Sequence, residues 1–100
     1  MVQINWSEQA LFDMQNIAAF ISKDSKKFAE IQNNIFLESV EILEKFPKSG
    51  RIVPEIGRDN IRELILGNYR IVYKIVTAKL IDVIAVHHSS RKFQIIRKGK

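Results

Sequence analysis

The chain has 100 residues, 46% of them hydrophobic and 27% charged, which suits one compact soluble domain spanning 1–100. Cysteine is absent, so disulfides and thiolate metal sites are excluded. The net charge of +5 leads us to expect a polyanion or an acidic protein as partner, although such a charge also serves plain solubility.

No apolar run reaches the roughly 18 residues of a membrane span. The first residues lack a basic segment followed by an apolar one, so no secretory signal is expected. The resulting expectation is a cytoplasmic protein with no membrane partner.

In chain order, Val2, Ile4 and Trp6 alternate with Gln3 and Asn5 as a first strand would. Ser7 is a candidate helix N-cap, with Glu8 in the first turn. From Glu8 to Ser22, Leu11, Met14, Ile17, Ala18 and Ile21 fall on one face of an amphipathic helix. Asp24 or Ser25 caps a second helix that starts near Lys26 and is ended by Pro47. Its predicted apolar stripe is Phe28, Ile31, Ile35, Ile42 and Phe46, widened by Phe36, Val40 and Leu43. The two helices are expected to form a hairpin over a sheet.

Lys48 to Asn60 is predicted to be a loop, with Gly50, Pro54 and Gly57 among Arg51, Glu55 and Arg58. Three β-branched runs between Ile61 and Arg91 then predict an antiparallel meander. Gly67-Asn68 is a two-residue hairpin signal that sets Leu66 against Tyr69, Leu64 against Ile71 and Arg62 against Tyr73. The same register sets Ile65 against Arg70, Glu63 against Val72 and Ile61 against Lys74.

For the second turn, a three-residue loop of Thr77, Ala78 and Lys79 pairs Lys74 with Asp82. It also places Ile81, Val83 and Ala85 beside Ile75, Tyr73 and Ile71, giving one nearly apolar face. The opposite face is then expected to be an open, semi-polar surface. It carries Glu63, Arg70, Lys74, Asp82 and His88 among Ile61, Ile65, Val72, Ile84 and Val86. Residues 94–100 are expected to fray.

Arg70 lies mid-strand, and two readings stand side by side: a cross-strand pair with Glu63, or an anion clamp. His87 and His88 point to opposite faces of a regular strand and cannot both ligate one metal, so no metal site is expected. Either histidine is a candidate general acid or base. Arg51, Arg58, Arg70 and Arg91 form a candidate basic patch, and Tyr69, Tyr73 and Phe93 are candidate stacking surfaces, with the tyrosines ranked first as packing residues. No phosphate-binding glycine loop or nucleophile motif occurs, and no cofactor is expected.

These residues resemble the RelE/ParE superfamily of type II toxins. The similarity rests on Trp6-Ser7, Ala10, Asp13 and Ile17, then Leu43 with Pro47, Gly50-Arg51 and Pro54-Glu55. It continues through Ile61-Arg62-Glu63-Leu64 and Tyr69-Arg70-Ile71-Val72-Tyr73 to His88-Ser89-Ser90-Arg91.

The resemblance implies an α+β fold: strand, helix, helix and three antiparallel strands, with the helical hairpin on one face of the sheet. It implies a cytoplasmic growth inhibitor neutralised by a cognate antitoxin that is acidic and partly disordered. Target or antitoxin contacts are expected at Arg51, Arg58, Glu63, Arg70, Lys74, His87, His88, Arg91 and Phe93. RelE-like members cut mRNA in the ribosome, and in that case Arg70, His88 and Arg91 would be catalytic. Ser89 and Ile95-Ile96 depart from the RelE pattern, whereas His88-Ser89-Ser90-Arg91 is similar to the ParE ending. The ParE-like branch, which inhibits DNA gyrase without cutting nucleic acid, is therefore favoured. A third reading is a non-toxic partner that only binds its antitoxin.

Overall fold

The computed structural model of the chain describes residues 1–88. Strand β1 (Gln3–Trp6) leads through Ser7 into α1 (Glu8–Ser22), and Ser25 opens α2 (Lys26–Glu41). Both caps act through the hydroxyl: Ser7 Oγ accepts from the amide of Ala10 at 3.0 Å, and Ser25 Oγ from that of Phe28 at 3.1 Å. Each satisfies an amide that a helix start leaves without a partner. The α-helical part of the second helix stops at Glu41, and a 3-10 turn over Ile42–Glu44 carries the chain toward Pro47.

The remaining strands are β2 (Arg51–Ile52), β3 (Ile61–Leu66), β4 (Tyr69–Thr77) and β5 (Leu80–His88). They form one five-stranded sheet in the order β1-β5-β4-β3-β2. β1 runs parallel to β5, from Gln3 beside Leu80 to Trp6 beside Val83. The rest of the sheet is antiparallel. The short β2 falls inside the stretch expected to be only loop, with Arg51 opposite Glu63 and Ile52 opposite Arg62.

All six pairs predicted for the first hairpin are present. Gly67 takes φ 61° and no non-glycine residue among those described has positive φ, the sign pattern of a II′ turn.

The second hairpin differs in two places. Thr77 pairs with Leu80, so the turn is the two residues Ala78-Lys79, and Val76 is an extra residue on β4. That extra residue restores the expected pairs Lys74–Asp82 and Ile75–Ile81. Further along, Tyr73 faces Val83 but Val72 faces Ala85, so Ile84 is a bulge residue.

Because a bulge moves every later side chain to the other face, the expected faces of the last four residues are corrected. Val86 opposes Ile71 and lies in the core, and His87 opposes Arg70. His88 opposes Tyr69 on the helix side, away from Arg70. Ala85 sits against Val72.

The main core lies between helices and sheet: Ala10 and Met14 of α1, Phe36, Val40 and Leu43, and the sheet residues Ile71, Tyr73, Ile81, Val83 and Val86. The expected stripe of the second helix is therefore corrected as well. Ala29, Phe36, Val40 and Leu43 are buried, whereas Phe28, Ile31, Ile35, Ile42 and Phe46 are exposed. Ala29, Phe36 and Leu43 each follow an exposed residue by one position, about 100° round the helix. Two apolar stripes compete on this helix, and the one with the small Ala29 faces inward.

The opposite face of the sheet is open at Ile65 and Lys74 but covered at its centre. Residues after β2 fold across it, and fully buried Val53 packs on Val72 with Ile56, Ile61 and Ile84 around them.

Candidate functional site

The second face is built around Glu63. It opposes Arg51 directly through the β2–β3 pairing, and Arg70 is its diagonal neighbour on β4. Arg70 Nε donates to Glu63 Oε1 at 2.8 Å, with Nη2 at 2.6 Å from the same oxygen. Arg51 Nε donates to Oε2 at 2.6 Å. Glu55 brings a second carboxylate to Arg70, 3.6 Å from Nη2. Glu63 is 1% exposed and Arg70 8% exposed, so the open cationic surface expected here is in fact a buried ion pair under the β2–β3 connection. Of the two readings of Arg70, the cross-strand pair is the one formed.

A second cluster staples that connection from the helix side of the sheet. Arg62 donates to the carbonyls of Asp59, Lys48 and Gly50 and pairs with the Asp59 carboxylate at 2.8 Å. Lys48, bonded to Asp59 and beside it, and then Arg62 hold the Asp59 carboxyl below its ordinary pKa. Opposite Arg62, the hydroxyl of Tyr73 accepts from the amide of Gly50 at 3.0 Å and donates to the carbonyl of Pro47 at 2.7 Å. Burial pushes the Tyr73 phenol pKa up. A Cβ on Gly50 would lie 2.7 Å from both the Glu63 carbonyl and the Tyr73 hydroxyl, so this close approach demands glycine.

The two histidines occupy different environments. His87 shares the Arg70 face, its Nδ1 is 3.3 Å from its neighbour's carbonyl, and burial pushes its pKa down. His88 stands edge-on to Tyr69 at 5.4 Å, and Tyr69 stands edge-on to Phe36 at the same distance. Arg70 and His88, catalytic together in the cleavage reading, thus lie on opposite faces. Arg58 and Lys74 are exposed, and Arg51 is half-exposed on the rim. Arg91, Phe93 and residues 94–100 lie outside the described residues. Among the described residues no group of three acidic or histidine side chains could hold a metal ion.

Two features escaped sequence reasoning. An open, apolar groove of about 680 Å³ is lined by Phe46, Pro47, Ile75 and Ala78, with Lys45 and Lys48 at its side. Phe46 was legible as part of the apolar stripe of the second helix and Pro47 as its stop, not as two walls of one groove. The other is the contact made by Asp13, whose Oδ2 accepts from the amide of Val86 just past the bulge, at 3.0 Å. That contact needs a tertiary placement with no local signal.

With this geometry in hand, residues 4–93 match the family model described as the ParE toxin of the type II toxin–antitoxin system parDE. The chain belongs to this family. It is a ParE-type toxin of a type II toxin–antitoxin module. A solved structure titled "Chromosomal ParDE TA system from P. aeruginosa" is similar in fold, with a TM-score of 0.68 at 19% identity. The match covers 88% of this chain and 96% of that one. A comparison with curated proteins gave no match. No helix among the described residues of this ParE-type toxin is long and apolar enough to cross a membrane.

Proposed function

We propose that this toxin is held by a cognate acidic, partly disordered antitoxin in the cytoplasm and, once released, arrests growth by inhibiting DNA gyrase, with no nucleolytic chemistry of its own. The observation that carries the reading is the commitment of Arg70 to Glu63 and Glu55. RNA cleavage without a metal needs a cation at the scissile phosphate and an acid–base group beside it. Arg70 is buried and could reach a phosphate only by breaking a buried pair, a loss of about 3–5 kcal/mol. His88 stands against Tyr69 on the other face of the sheet and cannot join it there. The exposed cations Arg58 and Lys74, with Arg51 at the rim, suit an acidic antitoxin segment by charge.

Expression of the chain with and without its antitoxin, followed by a supercoiling assay, tests the proposal. We expect growth arrest only without antitoxin and inhibition of gyrase by the purified toxin. Absence of arrest would favour the non-toxic partner. Cleavage of ribosome-bound mRNA with supercoiling unaffected would favour the endonuclease.

A further inference from the structure

We propose that the groove beside Phe46 and Pro47 is a binding site for a single-chain anionic amphiphile, of which a long-chain fatty carboxylate is the simplest. Its apolar surface comes from Phe46, Pro47, Ile75 and Ala78, and its volume of about 680 Å³ is that of a small-molecule site. It lies where the chain leaving the second helix passes the β4–β5 turn, so no single run of sequence builds it.

The lining backbone says what kind of molecule can lie there. The amides of Lys45 and Phe46 donate to the Ile42 carbonyl, and the Ser49 amide donates to that of Phe46. Pro47 has no amide, and its carbonyl accepts from Tyr73, while the Lys48 carbonyl accepts from Arg62. Across the groove, the Ile75 amide donates to the Asn60 carbonyl. A bound peptide would bring its own amides to a main chain that is largely engaged already, and each one left unpaired opposes binding. A hydrocarbon chain carries no such groups and needs only the apolar floor.

The rim sets the sign of the head group. Lys45 and Lys48 stand at the side of the groove, and Lys79 follows Ala78 in the adjoining turn; all three are exposed. Lys48 is 3.4 Å from the Asp59 carboxylate, but Arg62 also pairs with that carboxylate, so the three groups together keep one positive charge. Lys45 takes part in no ion pair among the described residues. Among those residues, no acidic side chain lines the groove. An anionic head at the rim stays in water and meets these ammonium groups, whereas a cationic head meets like charge.

Titration of dodecanoate into the purified full chain, followed by calorimetry and by the methyl resonances of Ile75 and Ala78, tests the proposal. We expect one molecule bound per chain, with a Kd of about 10–100 μM and shifts at both methyl-bearing residues. From octanoate to dodecanoate, affinity should rise about two- to fourfold per methylene. Dodecyltrimethylammonium, with the same chain and a cationic head, should bind at least about tenfold more weakly. Ala78→Trp fills the groove and should weaken dodecanoate binding about tenfold or more. Phe28→Ser/Ile35→Ser, on the exposed face of α2, should leave it within about twofold of the parent. Lys45→Glu should weaken dodecanoate and strengthen the cationic amphiphile, a reversal that misfolding cannot produce. Absence of saturable binding below about 1 mM overturns the proposal, as does equal affinity for the two head groups. So does displacement of dodecanoate by a lower concentration of an acidic, phenylalanine-containing peptide, or binding to phosphatidylglycerol vesicles without binding to dodecanoate.

Discussion

Asp13 Oδ2 accepts a hydrogen bond at 3.0 Å from the amide of Val86, two positions past the bulge residue Ile84 of β5. Ser7, at the start of the same helix, donates its hydroxyl to the Ile84 carbonyl at 2.9 Å. A bulge leaves backbone groups out of the ladder, and these two side chains supply partners for them. The start of α1 thereby sustains the irregularity that turns His87 toward Arg70 and His88 toward Tyr69.

Asp13→Ala removes the acceptor and is expected to lower stability by about 1–3 kcal/mol in urea unfolding, because the Val86 amide is left without its partner. Asp13→Asn keeps a side-chain carbonyl and should lose less. Equal losses from both variants would mean that the charge, not the hydrogen bond, holds the bulge.

Tyr73→Phe deletes one hydroxyl that serves two loop groups, the Gly50 amide and the Pro47 carbonyl. The expected cost is about 1–3 kcal/mol in the midpoint of chemical denaturation. Gly50→Ala should be at least as damaging, since its Cβ meets the Glu63 backbone, which has no room to yield. Thermal melts of the two variants check the order.

Burial holds the His87 pKa below 6.5 in the folded chain, so the unfolded chain binds the proton more readily. The stability that this difference supports is complete above the unfolded value of about 6.5. It is lost as pH falls through the lower folded value. Urea midpoints measured from pH 8 down to pH 5 should therefore decline, and His87→Asn should flatten part of that decline. A parent chain that gains stability on acidification across this window would contradict the assignment.

The Glu63–Arg70 pair predicts an asymmetry between removing one partner and removing both. Glu63→Leu alone removes the carboxylate that both Arg70 Nε and Nη2 contact, leaving Glu55 at 3.6 Å, and should cost up to about 3–5 kcal/mol. Arg70→Met with Glu63→Leu together should cost markedly less than the single change, because no buried charge remains uncompensated. Denaturation of the parent, both singles and the double gives the coupling directly.

Much of this arrangement was legible in the sequence wherever a local signal fixed it. Gly67-Asn68 set the first hairpin, and with it the diagonal placement of Arg70 next to Glu63. Ser7 and Ser25 marked both helix starts. The bulge at Ile84 was not legible, because one extra residue leaves no mark in a continuous apolar run, and its supports at Ser7 and Asp13 lie more than 70 residues away. The inward face of α2 was ambiguous because Phe28, Ile35 and Ile42 look as apolar as Ala29, Phe36 and Leu43. Burial of the site depended on Val53 and Ile56, two apolar residues in a stretch whose glycines, prolines and charges otherwise read as loop.

On the proposed function, Arg70 supports the fold of this toxin and does no chemistry. The most direct test is growth arrest by the Arg70→Met/Glu63→Leu chain, with folding verified by denaturation. The folded double variant is expected still to arrest growth when expressed without antitoxin. A double variant that folds as stably as the parent yet no longer arrests growth would contradict it.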